Sequence, residues 1–293
     1  MRDDPVLSEC RVMLARGSRV FARAATLLPD RERAGVTLLY AWARYVDDLI
    51  DDQDHGHARV GPAPSASPVE RLSRLREATG QAIAGRVDLP APLQAIGRVV
   101  RDHGVPEAEP FVFLDGMAMD VEARRYRALP ELEVYCFHVA GVLAQMACRV
   151  VGRVDAESLE AVAEYGTAFQ LTNIARDVMA DASMGRVYLP LALLEDAGVP
   201  PDAVSDPQRR AAVAGIVATL LDRADLLYRG RQSRFASLPF RAAWAVLAGR
   251  AMYADLATRV RRLGPHAWDA RVSVPAAARL AAVGRGLLHA LTR

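Results

Sequence analysis

One pattern, present twice, constrains this chain most: a pair of aspartates four positions apart at the end of an apolar helical run. In the second copy, within Tyr165–Pro190, the pair is Asp177 and Asp181. Residues four apart share one face of an α-helix, with Cβ atoms roughly 5–6 Å apart. That face continues backwards to Asn173 and Gln170, so amides and carboxylates follow one another among apolar neighbours. A surface helix normally carries charges of both signs along its wet face, which makes this row atypical of one.

The first copy lies in Tyr40–Asp52, where Tyr40 and Arg44 extend the face of the aspartate pair. Its four acidic residues, within six positions, are Asp47, Asp48, Asp51 and Asp52. Two such charges 4 Å apart repel by about 1 kcal/mol in water and about 4 kcal/mol at an effective dielectric constant near 20. If this helix faces inward, a cation must therefore offset the repulsion.

Mg²⁺ is the cation that suits these residues best. It prefers oxygen ligands and typically takes one or two carboxylates together with waters and substrate phosphates. Two such helices facing each other would hold metal ions that grip a diphosphate between them. The alternative is an acidic helix end in contact with solvent. A single copy favours that alternative, whereas two copies, each with amide or Arg residues on its face, favour the metal site.

The composition predicts an all-α fold. Hydrophobic residues make up 52% of the 293 residues and aromatic residues only 6%, which suits helices better than a β-sandwich. No stretch alternates with period two, so we expect no sheet and a single domain over residues 1–293. Residues 53–67 form the clearest loop, and Ser67 with Glu70 makes a capping box that restarts a helix with Pro68 in its first turn. Later helices are predicted near 89–103, 107–125, 130–151, 155–182, 207–234, 239–263 and 276–291.

Several function classes are excluded or disfavoured. All 37 basic residues are Arg, so lysine Schiff-base chemistry and a P-loop lysine are absent. Cys10, Cys136 and Cys148 form no C-x-x-C pair, and neither a disulfide framework nor a zinc site is indicated. The net charge of +2 gives no sign of nucleic-acid binding. No signal peptide is evident, and the charge-free stretch 134–148 is short for a membrane span, so we expect a cytoplasmic protein.

Two further places carry residues of interest. Asp120 lies on a predicted helix beside small and Met residues, where an ordinary solvated carboxylate is the simpler interpretation. Gly185 follows the Asp181 helix as a plausible C-cap, and Arg186 would by default lie on the surface. Arg44, Arg176 and Arg186 could instead clamp a diphosphate, because a guanidinium matches phosphate oxygens with two parallel hydrogen bonds.

These segments resemble the squalene/phytoene synthase family, the head-to-head isoprenyl diphosphate synthases, and the match covers nearly the whole chain. The segments DDLIDDQ, AMDV and GRVYLP are most similar to those of bacterial phytoene synthases. The resemblance implies an all-α isoprenoid-synthase fold around a central active-site cavity. The matching segments are YAWARYVDDLIDD, GMAMDVEARRY, YCFHVAGV, FQLTNIARDVMADASMGRVYLP and, more weakly, AWDAR near Trp268.

The resemblance also implies roles by position. Two aspartate pairs match the family's Mg²⁺-binding pairs, with Asn173 beside the second as a further metal ligand, and Mn²⁺ as an alternative ion. The metal-binding and catalytic aspartates are Asp47, Asp51, Asp177 and Asp181. Basic and amide residues near the substrate diphosphate are Arg44, Arg176, Arg186, Gln170 and Asn173. Of the cavity positions, Tyr40 and Tyr253 are implied to be catalytic, and Phe21, Asp120 and Tyr135 to bind substrate together with Ser18, which completes the family's Ser-x-x-Phe. The chain departs from the pattern at Ala43, where a cysteine is common.

The implied activity is a Mg²⁺-dependent prenyl transfer in carotenoid biosynthesis. Two molecules of geranylgeranyl diphosphate condense through a cyclopropylcarbinyl diphosphate to phytoene and release diphosphate, without a nicotinamide cofactor. The alternatives are a dehydrosqualene or squalene synthase that uses C15 substrates on the same fold, and a helical assembly factor without catalysis. The very apolar product makes peripheral membrane contact reasonable. The sequence leaves open the membrane-facing surface, the oligomeric state and the group that takes the final proton.

Overall fold

The structure is a computed structural model in which α-helices dominate. It describes residues 4–17, 25–26, 28–54, 57–58, 66–152, 154–229 and 232–292. Two predicted site residues, Ser18 and Phe21, lie outside these described residues.

The described ranges contain twelve α-helices, which confirms the all-α prediction. The first six are α1 (Pro5–Gly17), α2 (Asp30–Asp51), α3 (Pro68–Ile83), α4 (Ala91–His103), α5 (Ala108–Val121) and α6 (Leu129–Cys136). The other six are α7 (Val142–Val151), α8 (Ala156–Ser183), α9 (Leu191–Asp196), α10 (Arg210–Tyr228), α11 (Phe240–Leu263) and α12 (Ala276–Leu291). Short 3₁₀ turns lie at Pro201–Ala203, Pro207–Arg209, Gln232–Phe235 and Gly264–His266.

Short residue patterns set several helix ends. Ser67 accepts a hydrogen bond from the Glu70 N–H, and the Glu70 carboxylate accepts one from the Ser67 N–H, so the predicted capping box is confirmed at the start of α3. The predicted loop after α2 contains one feature that the sequence did not indicate. Two-residue strands, β1 (Gln53–Asp54) and β2 (His57–Ala58), pair in antiparallel register. Strands of two residues are too short to show a period of two.

The contacts divide the chain into two compact units, residues 1–121 with 145–154 and residues 122–144 with 155–293. The single domain predicted over residues 1–293 stays a prediction. In the first unit, α2 packs on α1, α4 and α5. Its inner face buries Trp42 and Val46 completely, and the Trp42 ring lies 5.3 Å from the Phe113 ring of α5.

The second unit is built around α8, which packs against α6, α10 and α11. A five-residue π-helical turn, Phe137–Gly141, links α6 to α7 and packs closely on α8. A Cβ added at Gly166 of α8 would lie 2.7 Å from the carbonyl oxygen of Ala140 and 2.8 Å from the Gly141 Cα. Glycine is therefore required where the two backbones meet, and π-helical turns of this kind are frequent at functional sites.

One continuous helical run among the described residues, Leu129–Val151, meets the length and composition of a membrane-crossing helix. Its 23 residues have a mean hydropathy of 1.5, and 39% of the most apolar window is buried. The helical run is longer than the charge-free stretch 134–148, because the helix continues beyond Glu133 at one end and beyond Arg149 at the other. Core helices of soluble proteins meet the same criterion, and Tyr135, Cys136 and Met146 of this run are buried.

Candidate active site

The first aspartate motif occupies the last two turns of α2. Arg44 Nη1 donates to Asp47 Oδ2 over 2.6 Å, and the guanidinium carbon of Arg44 lies 6.0 Å from the centre of the Tyr40 ring. Arg44, Asp47 and Asp51 are all half-buried. One face of α2 thus carries an aromatic ring, a guanidinium and carboxylates in succession, as the i, i+4 spacing predicts.

Arg44 supplies positive charge within this motif. Burial alone would lower its pKa, but the Asp47 carboxylate, Tyr40 and Asp48 outweigh burial and raise the pKa above its ordinary value. The guanidinium offsets part of the repulsion among the aspartates. The repulsion therefore does not by itself require a metal ion, and the metal assignment at Asp47 and Asp51 depends on the family resemblance.

The end of α2 is fastened by a residue that the sequence interpretation missed. Arg71 of α3 donates from Nη2 to the Ile50 carbonyl oxygen (3.0 Å) and from Nη1 to the Ala66 carbonyl oxygen (2.8 Å). Asp52 then ends the helix in a left-handed conformation with φ of 52°. A cation at a helix C-terminus satisfies carbonyls that have no partner in the helix and stabilises the helix dipole. Arg71 thus positions the carboxylates at 51 and 52, although no local pattern marks it.

Asp120 lies in the same unit near the end of α5 and is half-buried. The outward side of α5 carries Asp115, which forms an ion pair with Arg76 of α3. The predicted role of Asp120 at the cavity stays a prediction.

The second aspartate motif occupies the C-terminal half of α8. Arg176 donates from Nε to Asp177 Oδ1 over 2.8 Å and from Nη2 to Asp177 Oδ2, and Arg271 Nη2 lies 3.7 Å from Asp177 Oδ2. Only 21% of the Asp177 side chain is exposed. Burial would lower the pKa of Arg176, but Asp177, Tyr253 and Asp181 outweigh it and raise the pKa. Arg44 and Arg176, which were predicted to bind the diphosphate, thus each lie beside a predicted metal-binding aspartate.

The amides on this face of α8 bond to each other. Asn173 donates from Nδ2 to Gln170 Oε1 over 3.3 Å, and both residues are half-buried. The carbonyl oxygen of Asn173 is the atom of this pair that a hard cation would take, one turn before Asp177. The predicted row 170–173–177 is therefore present as one half-buried polar strip.

The helix ends just beyond Asp181 in a glycine cap, as predicted. Gly185 adopts a φ of +78°, its N–H donates to the Ala182 carbonyl oxygen, and the Arg186 N–H donates to the Asp181 carbonyl oxygen over 2.9 Å. These two bonds define a Schellman motif, which reverses the chain so that Arg186 follows the last motif carboxylate. Asp181 and Arg186 line one cleft whose other walls are mostly apolar. The cavity volume of this cleft is about 10 Å³, room for about one water molecule, so the cleft does not accommodate a prenyl chain by itself.

The late segment 264–271 braces the second motif. The Trp268 indole N–H donates to the Ala175 carbonyl oxygen over 3.2 Å, and Arg271 approaches Asp177. Asp269 in turn bonds to His266 and Arg210, and these two contacts hold the pKa of its carboxyl below the ordinary value. The weakest of the resembling segments, AWDAR, thus contacts the helix that carries the motif.

Aromatic rings follow the apolar side of α8 towards its N-terminus. The Phe169 ring stacks on the Tyr253 ring of α11 with 4.2 Å between centroids, and a Cβ added at Gly249 would lie 3.5 Å from the Phe169 ring. Tyr135 lies elsewhere in this unit, buried, with its hydroxyl donating to the Tyr188 hydroxyl over 3.2 Å. The cavity roles of Tyr253 and Tyr135 stay predictions.

The side chains present supply part of the coordination shell that Mg²⁺ requires, but not the whole shell. Within the ranges that the structure describes, no group of three or more Asp, Glu, His or Cys side chains lies close enough to hold a metal ion. Mg²⁺ usually keeps several waters and binds through one or two carboxylates together with substrate phosphates. Either of two sets of side chains supplies these protein ligands. One set is Asp177 and Asp181 with the Asn173 oxygen, and the other is Asp47 and Asp51. Cys10, Cys136 and Cys148 are buried free thiols, and burial raises the pKa of Cys10 and Cys148 to about 12, so these two do not supply the thiolate that a metal ion binds.

Comparison with known proteins shows which family has a sequence similar to that of this chain. The family model described as squalene/phytoene synthase matches residues 14–278, which include both aspartate motifs. The chain belongs to the squalene/phytoene synthase family. Among similar members, the phytoene synthase of Pseudescherichia vulneris is 39% identical over 271 residues, covering 92% of this chain and 87% of its own. The 15-cis-phytoene synthase of a Paracoccus species is 40% identical over 275 residues, covering 93% and 88%.

Solved structures confirm the fold predicted for a family member. A dehydrosqualene synthase crystallised with a ligand superposes with a TM-score of 0.83, covering 98% of this chain and 97% of its own at 24% identity. A squalene synthase from Alicyclobacillus acidocaldarius gives a TM-score of 0.76 over 88% and 94% at 22% identity. This squalene/phytoene synthase therefore has the predicted isoprenoid-synthase fold.

Proposed function

We propose that this chain is a phytoene synthase, a prenyltransferase that condenses two molecules of geranylgeranyl diphosphate head to head. The observation that carries the proposal is identity of about 40% to curated phytoene synthases over nine-tenths of the chain and nearly nine-tenths of theirs. Relatives of this kind also include the 15-cis-phytoene synthase of Pantoea ananas, 37% identical over 93% of this chain. The geranylgeranyl substrate, Mg²⁺ and the residue roles are the finer parts of the proposal.

The chain's own residues have defined tasks in this reaction. Arg44, Arg176 and Arg186 bind diphosphate oxygens through paired N–H donors, and they stabilise the negative charge that grows as the carbon–oxygen bond breaks. The aspartate pairs and Asn173 orient Mg²⁺, which when bound acts as a Lewis acid on the leaving diphosphate. Apolar and aromatic walls keep water from the allylic cation.

Incubation with C15 and C20 diphosphates, followed by mass analysis of the product, tests the substrate. We expect a C40 hydrocarbon from geranylgeranyl diphosphate and release of diphosphate. A C30 product formed preferentially from the C15 substrate would instead establish a dehydrosqualene or squalene synthase on this fold. No Mg²⁺-dependent release of diphosphate from either substrate would favour a helical assembly factor without catalysis.

Diphosphate and Mg²⁺ are expected to bind together. The described side chains supply only part of a coordination shell, and each motif has an arginine beside its first aspartate, so we expect phosphate oxygens and waters to complete the shell. Isothermal titration of Mg²⁺ into the protein should show binding at least about tenfold tighter with inorganic diphosphate present than without it. Equal Mg²⁺ affinity in both titrations would contradict the shared site. Asp177→Asn should remove the difference, whereas Asp222→Asn, which alters an ion pair with Arg261, should leave it unchanged.

The expected cytoplasmic location, the peripheral membrane contact and the absence of a nucleic-acid partner stay predictions for this phytoene synthase.

A further inference from the structure

The half-buried surface of α8 ends at Phe169. On the C-terminal side of this residue, the half-buried members of the predicted site include Gln170, Asn173, Arg176 and Asp177. On its N-terminal side, residues 165–168 are all buried, whereas Phe169 itself is half-buried. At a rise of about 1.5 Å per residue, Phe169 lies about 12 Å along the helix from Asp177. Phe169 is therefore the closed end of a strip that begins at the predicted metal and diphosphate ligands.

A row of half-buried residues on α11 continues this strip. Its members are Ala245, Val246, Gly249 and Tyr253. Ala242 and Leu256 lie on the same face of α11, beyond the two ends of the row, and both are buried. The Tyr253 ring stacks on the Phe169 ring with 4.2 Å between centroids, and Tyr253 also interacts electrostatically with Arg176. The two helices thus present one half-buried wall that passes from charged and amide groups to apolar ones.

Packing does not explain the glycine at position 249. A Cβ added there would lie 3.5 Å from the Phe169 ring, an ordinary van der Waals contact, and among the described residues outside α11 only this ring comes within 4 Å of it. At Gly286, by contrast, an added Cβ would lie 2.4 Å from the backbone nitrogen of Ala248, so packing there requires glycine. Glycine inside a helix is destabilising relative to alanine. Gly249 therefore leaves open space beside Phe169 at a cost in stability.

We propose that the space beside Gly249 receives the end of a prenyl chain farthest from the diphosphate, and that Gly249 thereby determines the chain length that the enzyme accepts. The proposal rests on the proposed function, because its occupant is the substrate. A chain whose diphosphate lies at Asn173 and Asp177 follows α8 as far as Phe169, where buried residues end the path. Apolar and aromatic walls suit a hydrocarbon. A C20 chain has one isoprene unit more than a C15 chain, so it depends most on room at this end.

Gly249→Leu should discriminate against the longer chain. The probes are the thiolodiphosphate analogues of the C15 and C20 substrates, in which sulfur replaces the oxygen between carbon and phosphorus so that the bond to carbon breaks slowly. In calorimetric titrations with Mg²⁺, the affinity for the C20 analogue should fall at least about tenfold, because leucine fills the space that the last isoprene unit needs. The affinity for the C15 analogue should change less than about threefold. Product mass should show a parallel loss of C40 hydrocarbon.

Two further variants separate this effect from a loss of folding. Gly249→Ala should raise the melting temperature, because the methyl fits against Phe169, and yet lower the affinity for the C20 analogue about threefold. A merely structural role would move stability and affinity in the same direction. The matched control is Gly215→Leu on α10, where the glycine is exposed and an added Cβ meets no described atom within 4 Å. It should bind both analogues like the wild type.

Three results would overturn the proposal. The first is an equal loss of affinity for both analogues in Gly249→Leu, which would indicate a general distortion of the site. The second is an unchanged affinity for the C20 analogue in that variant. The third is a lower melting temperature in Gly249→Ala, which would show that packing requires the glycine. A wild type that forms no C40 hydrocarbon would instead overturn the proposed function, and selective loss of C20 binding in Gly249→Leu would still support the role of Gly249.

Discussion

Asp177→Asn is expected to lower phytoene formation roughly 10³-fold, the size of effect seen when a charge-stabilising group is removed from an active site. The substitution removes one negative charge from the strip formed with Asn173 and Asp181. It also weakens the hold on Arg176, whose Nε and Nη2 both bond to this carboxylate. Asp47→Asn should act in the same direction in the first motif, where Arg44 Nη1 bonds to Asp47 over 2.6 Å.

The substitution must be separated from a loss of stability, because it leaves a largely buried guanidinium with a weaker partner. We expect Asp177→Asn to reduce the free energy of unfolding by about 2 kcal/mol. Glu133→Gln is the matched control. Glu133 is also 21% exposed and is bonded by Arg223 through two N–H donors at 2.8 Å each, yet it lies outside both motifs.

Product mass and thermal unfolding, measured on both variants, separate the two effects. The control should lose a similar amount of stability and keep turnover within about threefold of the wild type, since this ion pair joins two helices outside both motifs. Near-wild-type turnover in Asp177→Asn would remove the carboxylate from the mechanism. An equal loss of turnover in Glu133→Gln would show that activity follows stability and not the motif.

Gly166→Ala is expected to destabilise the protein by about 2 kcal/mol or more, although alanine is the better helix former. The added methyl would lie 2.7 Å from the Ala140 carbonyl oxygen and 2.8 Å from the Gly141 Cα, and backbone atoms cannot rotate away. Overpacking of this kind typically costs about 1–3 kcal/mol. Because Gly166 lies one turn before Gln170, the shift in α8 should also lower turnover.

Gly215→Ala is the matched control for this substitution. Gly215 lies within α10, and an added Cβ would meet nothing within 4 Å. Alanine should there raise the free energy of unfolding by about 0.5–1 kcal/mol, because glycine loses more backbone entropy in a helix. Urea unfolding of both variants measures the two changes. The same sign at both positions would contradict the close approach of α8 to the π-helical turn.

Features that depend on a few neighbouring residues were predicted from the sequence. The capping box at Ser67 and Glu70 and the glycine cap at Gly185 are complete within a few residues of chain, so their chemistry is visible in the order of residues. The arrangement of Asn173 with Gln170 follows from helix periodicity in the same way. Ser18 and Phe21, predicted from the resemblance alone, lie outside the described residues.

Contacts between distant segments were not predictable in this way. Arg71 bonds to the carbonyl of Ile50, and Trp268 bonds to the carbonyl of Ala175, 93 positions away. Neither partner of such a bond restricts the identity of the other, because any backbone carbonyl accepts the same hydrogen bond. The outward leucines of α12 were equally hidden, since apolar periodicity shows that a helix has an apolar face but not which face meets the core.

The sequence by itself determined the helical class, the capped helix ends at Ser67 and Gly185, both aspartate motifs and the family, since each depends on residue types at short, fixed spacing. Only the tertiary structure decided that Arg44 and Arg176 lie against the motif aspartates, that Gly166 must remain glycine, and that Leu280 and Leu288 face outward. These facts depend on which surfaces come together when helices pack. Sequences with the same apolar periodicity can pack their helices in different ways, so the periodicity alone does not determine these contacts.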